Sequence, residues 1–69
     1  MNAKQLRAMA NFMIQCYGAQ AFLTAVERAR ALADAGDIGI SEEWEQIAVQ
    51  VSEIETATVL EQAMNRATS

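Results

Sequence analysis

The chain has no histidine and no proline, and its one cysteine is Cys16. Without His it lacks the commonest general base and the commonest metal ligand. A single thiol with no imidazole excludes a zinc site. Cys16 has no intrachain partner for a disulfide and no His to activate it as a nucleophile. Next to Met13 and Tyr17 it reads as a core or near-core thiol. The three glycines, Gly18, Gly36 and Gly39, form no phosphate-binding loop. Long apolar runs are missing too. After Lys4 and Arg7 the apolar residues are interrupted by Asn11 and Gln15, which fits neither a signal-peptide core nor a membrane span. A lone thiol and no secretory segment point to a reducing cytoplasm.

What is present is alanine and helical periodicity. Sixty-nine residues make one domain. A chain of that length buries only about 60% of the surface its unfolded form exposes, so its core is marginal. Apolar residues supply 52% of the sequence, which argues against disorder. Abundant Ala without Pro is the composition of a helical protein.

The net charge of −4 is unevenly spread. Residues 1–33 carry Lys4, Arg7, Arg28 and Arg30 against Glu27, a balance of +3. Residues 34–69 carry Asp34, Asp37, Glu42, Glu43, Glu45, Glu53, Glu55 and Glu61 against Arg66, a balance of −7. The second half repels a polyanion and the first half holds one weakly, so direct nucleic-acid binding is not expected.

Periodicity predicts a first helix over about 3–17, capped by Asn2 and ended by Gly18. Its apolar stripe is Leu6, Met9, Ala10, Met13 and Tyr17, widened by Phe12 and Cys16. A second helix is predicted over about 20–35, with Phe22, Ala25, Val26, Ala29, Leu32 and Ala33 inward. The Ala content of that stripe lets a neighbouring helix approach closely. Gly36 serves as its cap, and residues 37–39 form the clearest turn signal. A third helix is predicted over about 42–66, with Ser41 as N-cap. Glu42, Glu43 and Glu45 then fall in its first turn, where the helix dipole favours negative charge. Trp44, Ile47, Ala48, Val51 and Ile54 form its core-facing stripe, with Trp44 as the largest anchor.

After Ile54 the pattern changes side. At 100° per residue, Ala57, Leu60 and Met64 fall roughly 120–180° from the stripe centred on Val51. Either the helix continues, kinked, with a second apolar face, or it breaks near 55–58 and a short fourth helix folds back. A capping box from Thr58 to Glu61 and the β-branched Thr56, Thr58 and Val59 favour a break. The absence of Gly and Pro after Gly39 favours continuity. Leu60 and Met64 then either form an interaction surface or cap the same small core.

One motif suggests chemistry. Asp34 to Glu45 spans twelve residues with Asp first, Gly39 sixth and Glu last, as in a calcium-binding EF-hand loop. The third and fifth positions are Gly36 and Ile38, which offer no side-chain oxygen, so a capped turn between helices explains the same residues. Pairs such as Glu42 with Glu45 lack a second lobe that would form a cleft around them. A DNA-reading helix-turn-helix would carry Glu42, Glu43 and Glu45 into the major groove, against phosphate repulsion.

From Arg7 to Ile54 the sequence resembles a family of short, uncharacterised helical proteins common in alphaproteobacteria. The resemblance lies in Met9-Ala10, the Gly18 break, Ala25 with Arg28 and Leu32, the Gly36-Asp37 turn, Trp44 seven residues after Asp37, and Ile47-Ala48. Family members often have a His where this chain has Tyr17. The resemblance implies three short helices and adds no catalytic role.

The expected fold is therefore all-α: a small antiparallel three-helix bundle with a long or kinked third helix, or a short fourth one. Its expected core is Leu6, Met9, Met13, Phe22, Val26, Leu32, Trp44, Ile47, Val51 and Ile54. The expected function is a non-enzymatic protein–protein interaction module without cofactor, metal or membrane contact, binding a protein partner or a second copy. Ala57, Leu60 and Met64 are the candidate contacts, with Glu53, Glu55 and Glu61 as a charged rim. The alternative is a small acidic, phage-type inhibitor that presents carboxylates to a nucleic-acid-binding protein.

Overall fold

The computed structural model describes residues 1–68. Among them the chain is helical with no strand: α1 spans Ala3–Tyr17, a single 3-10 turn spans Gly18–Gln20, α2 spans Ala21–Asp34 and α3 spans Ile38–Thr68. The all-helical expectation holds.

Each boundary has a local cause. The Asn2 side chain accepts from the Gln5 N–H at 2.8 Å, and the Gln5 side chain accepts from the Asn2 N–H at 3.1 Å. This reciprocal box satisfies two donors that the start of α1 leaves open. Gly18 follows α1 with φ 55°, and its N–H donates to the Ile14 carbonyl. Gly36 has φ 89°. There the Asp37 N–H donates to Leu32 and the Gly36 N–H to Ala33, at 2.9 and 3.0 Å. These are the two bonds of a Schellman turn, which needs the left-handed residue that Gly provides.

The start of α3 corrects the expectation for Ser41. The Asp37 carbonyl already accepts from the Ser41 N–H at 2.9 Å, so the helix begins four residues earlier than predicted. Ser41 lies inside it, 3% exposed, and its hydroxyl donates to the Ala29 carbonyl at 2.7 Å. A residue that resembled a cap instead fastens α3 to α2. Glu42, Glu43 and Glu45 consequently lie beyond the first turn, which holds no acidic residue. The helix dipole does not explain their clustering.

Between them the helices bury Leu6, Ala10 and Met13 from α1, Ala21, Ala25 and Ala29 from α2, and Ile47, Ala48 and Val51 from α3. The buried face of α2 is alanine alone, at four-residue steps. Ala side chains add little width, so α2 lies close to its neighbours. Met9, Val26, Trp44 and Ile54 pack against this core half-buried. Leu32 is half-buried as well.

Several expected core residues lie outside. Phe22 is 44% exposed, because it sits about 60° around α2 from the alanine row. Phe12 is 55% exposed and Tyr17 42%, the latter at the very end of α1. Cys16 is exposed as well. Trp44 is half-buried rather than central, with the Arg28 guanidinium 5.0 Å above its ring.

Polar contacts set the directions. The Met1 ammonium lies 3.6 Å from Glu43, and the Arg7 guanidinium donates to the Gln50 side-chain oxygen at 3.4 Å. Further on, Ile14 and Gly18 line one groove with Ile54 and Thr58. Helix α1 therefore runs in the same direction as α3. Helix α2 runs opposite, with Ala29 beside Ser41 and Phe22 near Val49.

Helix α3 is unequal to its neighbours in length. Its 31 residues extend about 46 Å at 1.5 Å per residue, against roughly 22 Å for the 15 residues of α1. The molecule measures 51 × 22 × 16 Å. The helices pack together over the first half of α3, and the second half projects beyond them. The helix passes through 55–58 without a break. Thr56 and Thr58 donate their hydroxyls back to the carbonyls of Ser52 and Ile54, at 2.8 and 3.0 Å. In that geometry a Thr continues a helix rather than capping a new one. The Thr58–Glu61 capping box does not form.

Candidate interaction surface

Helical geometry sorts the side chains of α3 into three directions. Taking Val51 as zero and 100° per residue, Trp44, Ile47, Ala48, Val51 and Ile54 lie within about 60° of it and face α1 and α2. Beyond Ile54 the same direction is taken by Thr58 and Gln62, both exposed. The apolar residues of the projecting half point elsewhere: Leu60 is 58% exposed and Met64 66%. They do not cap the core.

The proposed contact residues divide accordingly. Glu53, Ala57, Leu60 and Met64 follow one another at three- and four-residue steps and share one outer face of α3. Glu61 borders it next to Ala57. All five are exposed. Glu55 is not part of this face. It lies on the opposite side, half-buried, in the groove that Ile14, Gly18, Ala19 and Ile54 also line.

Two further exposed apolar residues of α3 do not follow from the sequence pattern. Val49 is 54% exposed and Val59 63%. Val49 lies about 160° from Val51, so the rotation count that placed Leu60 outside the core places Val49 there too. Its position between Ala48 and Val51 had hidden it. Phe22, Val26, Ala48 and Val49 form the apolar wall of a groove of about 430 Å³ between α2 and α3, with Arg30 and Glu45 at its rim. Ser52, Glu55, Thr56, Val59 and Leu60 line a shallower depression further along α3. Val49 lies on the flank of α3 nearest α2, whereas Val59, further along, also lines the groove beside Ile14, Gly18 and Ala19.

The calcium-loop reading fails on geometry. Residues 38–45 are helical, so only three residues between α2 and α3 remain outside a helix. Among the described residues no three Cys, Asp or Glu side chains are grouped to hold a metal ion. No helix among them is long and apolar enough to cross a membrane. No protein-family model matches the chain, and neither does any curated protein or solved structure.

Proposed function

We propose that the chain is a non-enzymatic protein–protein interaction module whose contact surface is the outer flank of α3. The observation that carries this reading is the exposure of Val49, Val59, Leu60 and Met64 along one helix, in a molecule whose core is largely alanine. Apolar side chains that continue past the end of the core mark an interaction surface. A reducing cytoplasm suits the single exposed thiol.

The expected behaviour is a native mass in extracts of its own cell larger than that of one chain. Val59→Ser with Leu60→Ser, both at exposed positions, should abolish the larger species and leave the far-ultraviolet circular dichroism unchanged. A native mass equal to one chain, unaffected by these substitutions, refutes the reading.

An acidic-inhibitor role is the second reading. It is favoured by Glu42, Glu45 and Glu53, which lie exposed on the outer side of α3 and are not accounted for by the helix dipole. That role requires binding to a basic groove that weakens steeply with salt.

A further inference from the structure

We propose that the partner is a second copy of this chain, and that the two α3 helices pair antiparallel across a two-fold axis at Thr56. This rests on the interaction reading above and names its occupant.

The first argument is area. A compact folded chain of 7.5 kDa exposes about 4250 Å² by the usual size scaling. This one exposes 4962 Å². The excess, about 700 Å², approaches the roughly 800 Å² that each partner contributes to an ordinary stable interface. The second half of α3 projects beyond α1 and α2, and every residue from Thr56 to Ala67 is exposed.

The second argument is self-complementarity. Val49, Ser52, Thr56, Leu60 and Ala63 fall within about 80° of one another around α3, and all are exposed. The row is symmetric about Thr56. Ser52 and Leu60 each lie four residues from it, and Val49 and Ala63 each lie seven. An antiparallel partner centred on Thr56 therefore sets Leu60 against Ser52 and Val49 against Ala63. Each larger side chain meets a smaller one, the arrangement that lets facing helices interdigitate. A parallel pairing in register sets Leu60 against Leu60 and leaves a gap at Ser52. It also sets Glu53 against Glu53. A two-fold contact in which residue i meets j and j meets i closes on itself and stops at two copies.

The third argument is space. Helices α1 and α2 cover only the first half of α3. A rotation about Thr56 places the projecting half of each copy beside the covered half of the other, in the α2–α3 groove. There it covers Phe22 and Val49, the apolar side chains left open on that wall.

The test uses the full chain. Sedimentation should give about twice the 7.5 kDa chain mass at high concentration, falling towards one chain on dilution. Leu60→Glu should raise the dissociation constant at least tenfold with the circular dichroism spectrum unchanged. The register is read by oxidative cross-linking in a Cys16→Ser background. Thr56→Cys should link to itself. Val49→Cys alone should not, because its two copies lie about 21 Å apart along the helix. A mixture of Val49→Cys with Ala63→Cys chains should link. A single-chain mass at millimolar concentration overturns the proposal. So does a dimer in which Val49→Cys links to itself and Thr56→Cys does not. If the chain is monomeric alone yet enters a larger complex in cell extract that Leu60→Glu disperses, self-pairing fails while the interaction reading survives.

Discussion

Single residues at the α2–α3 junction have separable jobs. Gly36 adopts φ 89° to close the Schellman turn, a conformation that costs an L side chain about 1 kcal/mol or more. Gly39, three residues on, lies in the first turn of α3 without a positive φ, and a Cβ there would meet nothing within 4 Å. Helical Gly is about 0.5–1 kcal/mol less favourable than Ala. Gly39→Ala should therefore stabilise the fold by about that amount, and Gly36→Ala should destabilise it by at least about 1 kcal/mol. Urea midpoints of the two variants check the opposite signs. The same junction shows why Ser41 misleads. A Ser before an apolar run is a sound N-cap signal, but Asp37 reaches the position first because it leaves the preceding turn already aimed into a helix. Only the distance from Ser41 to the Ala29 carbonyl reveals its other use.

Among the elements, α2 is the one whose sequence reading was least complete. Its alanine content was legible, and so was the close approach it allows. Of the six residues expected inward, Ala25, Val26, Ala29 and Leu32 are buried or half-buried, while Phe22 and Ala33 are exposed. Periodicity weights a Phe above an Ala, whereas the narrow space beside α3 accepts Ala and excludes the ring, so Ala21, Ala25 and Ala29 are buried and Phe22 is displaced to the groove. Overfilling such a site costs about 1–3 kcal/mol. Ala25→Leu should lower stability by that amount in chemical denaturation. Leu23→Ser, at a position 51% exposed, should change it by no more than about 0.5 kcal/mol. Along α3 the change of face after Ile54 was legible from rotation alone. The continuity of the helix was not, because two of the β-branched residues that suggest a break, Thr56 and Thr58, also have hydroxyls that bond back within the helix. Of the candidate contact residues, Leu60 and Met64 follow from the same rotation. Glu55 lies about 140° around the helix from Leu60, half-buried beside Ile14, Gly18 and Ala19. It shares only the depression of Ser52, Thr56 and Val59 with Leu60. Its neighbours from α1 and the following turn leave no record in the spacing of α3.

At the scale of the molecule, five of the nine buried apolar residues among those described are alanine. A core of so few large side chains contributes little at about 25 cal/mol per Å² of apolar surface buried. An assembly that covers the outer row of α3 adds burial that one chain lacks, and its stability then depends on protein concentration. The melting midpoint should rise as the protein is concentrated from micromolar to millimolar, and in the Leu60→Glu variant it should stay constant. Calorimetry across that range checks it. The projecting half of α3 has a further consequence, in the time domain. One column of backbone hydrogen bonds passes through two unlike surroundings. In an isolated chain the amide protons near Ile47 and Val51 wait for the whole fold to open before they exchange. Those past Leu60, where α1 and α2 no longer cover the helix, wait only for that segment to unwind locally. The helix thus holds a gradient of lifetimes along its length, and a second copy laid against it would flatten that gradient.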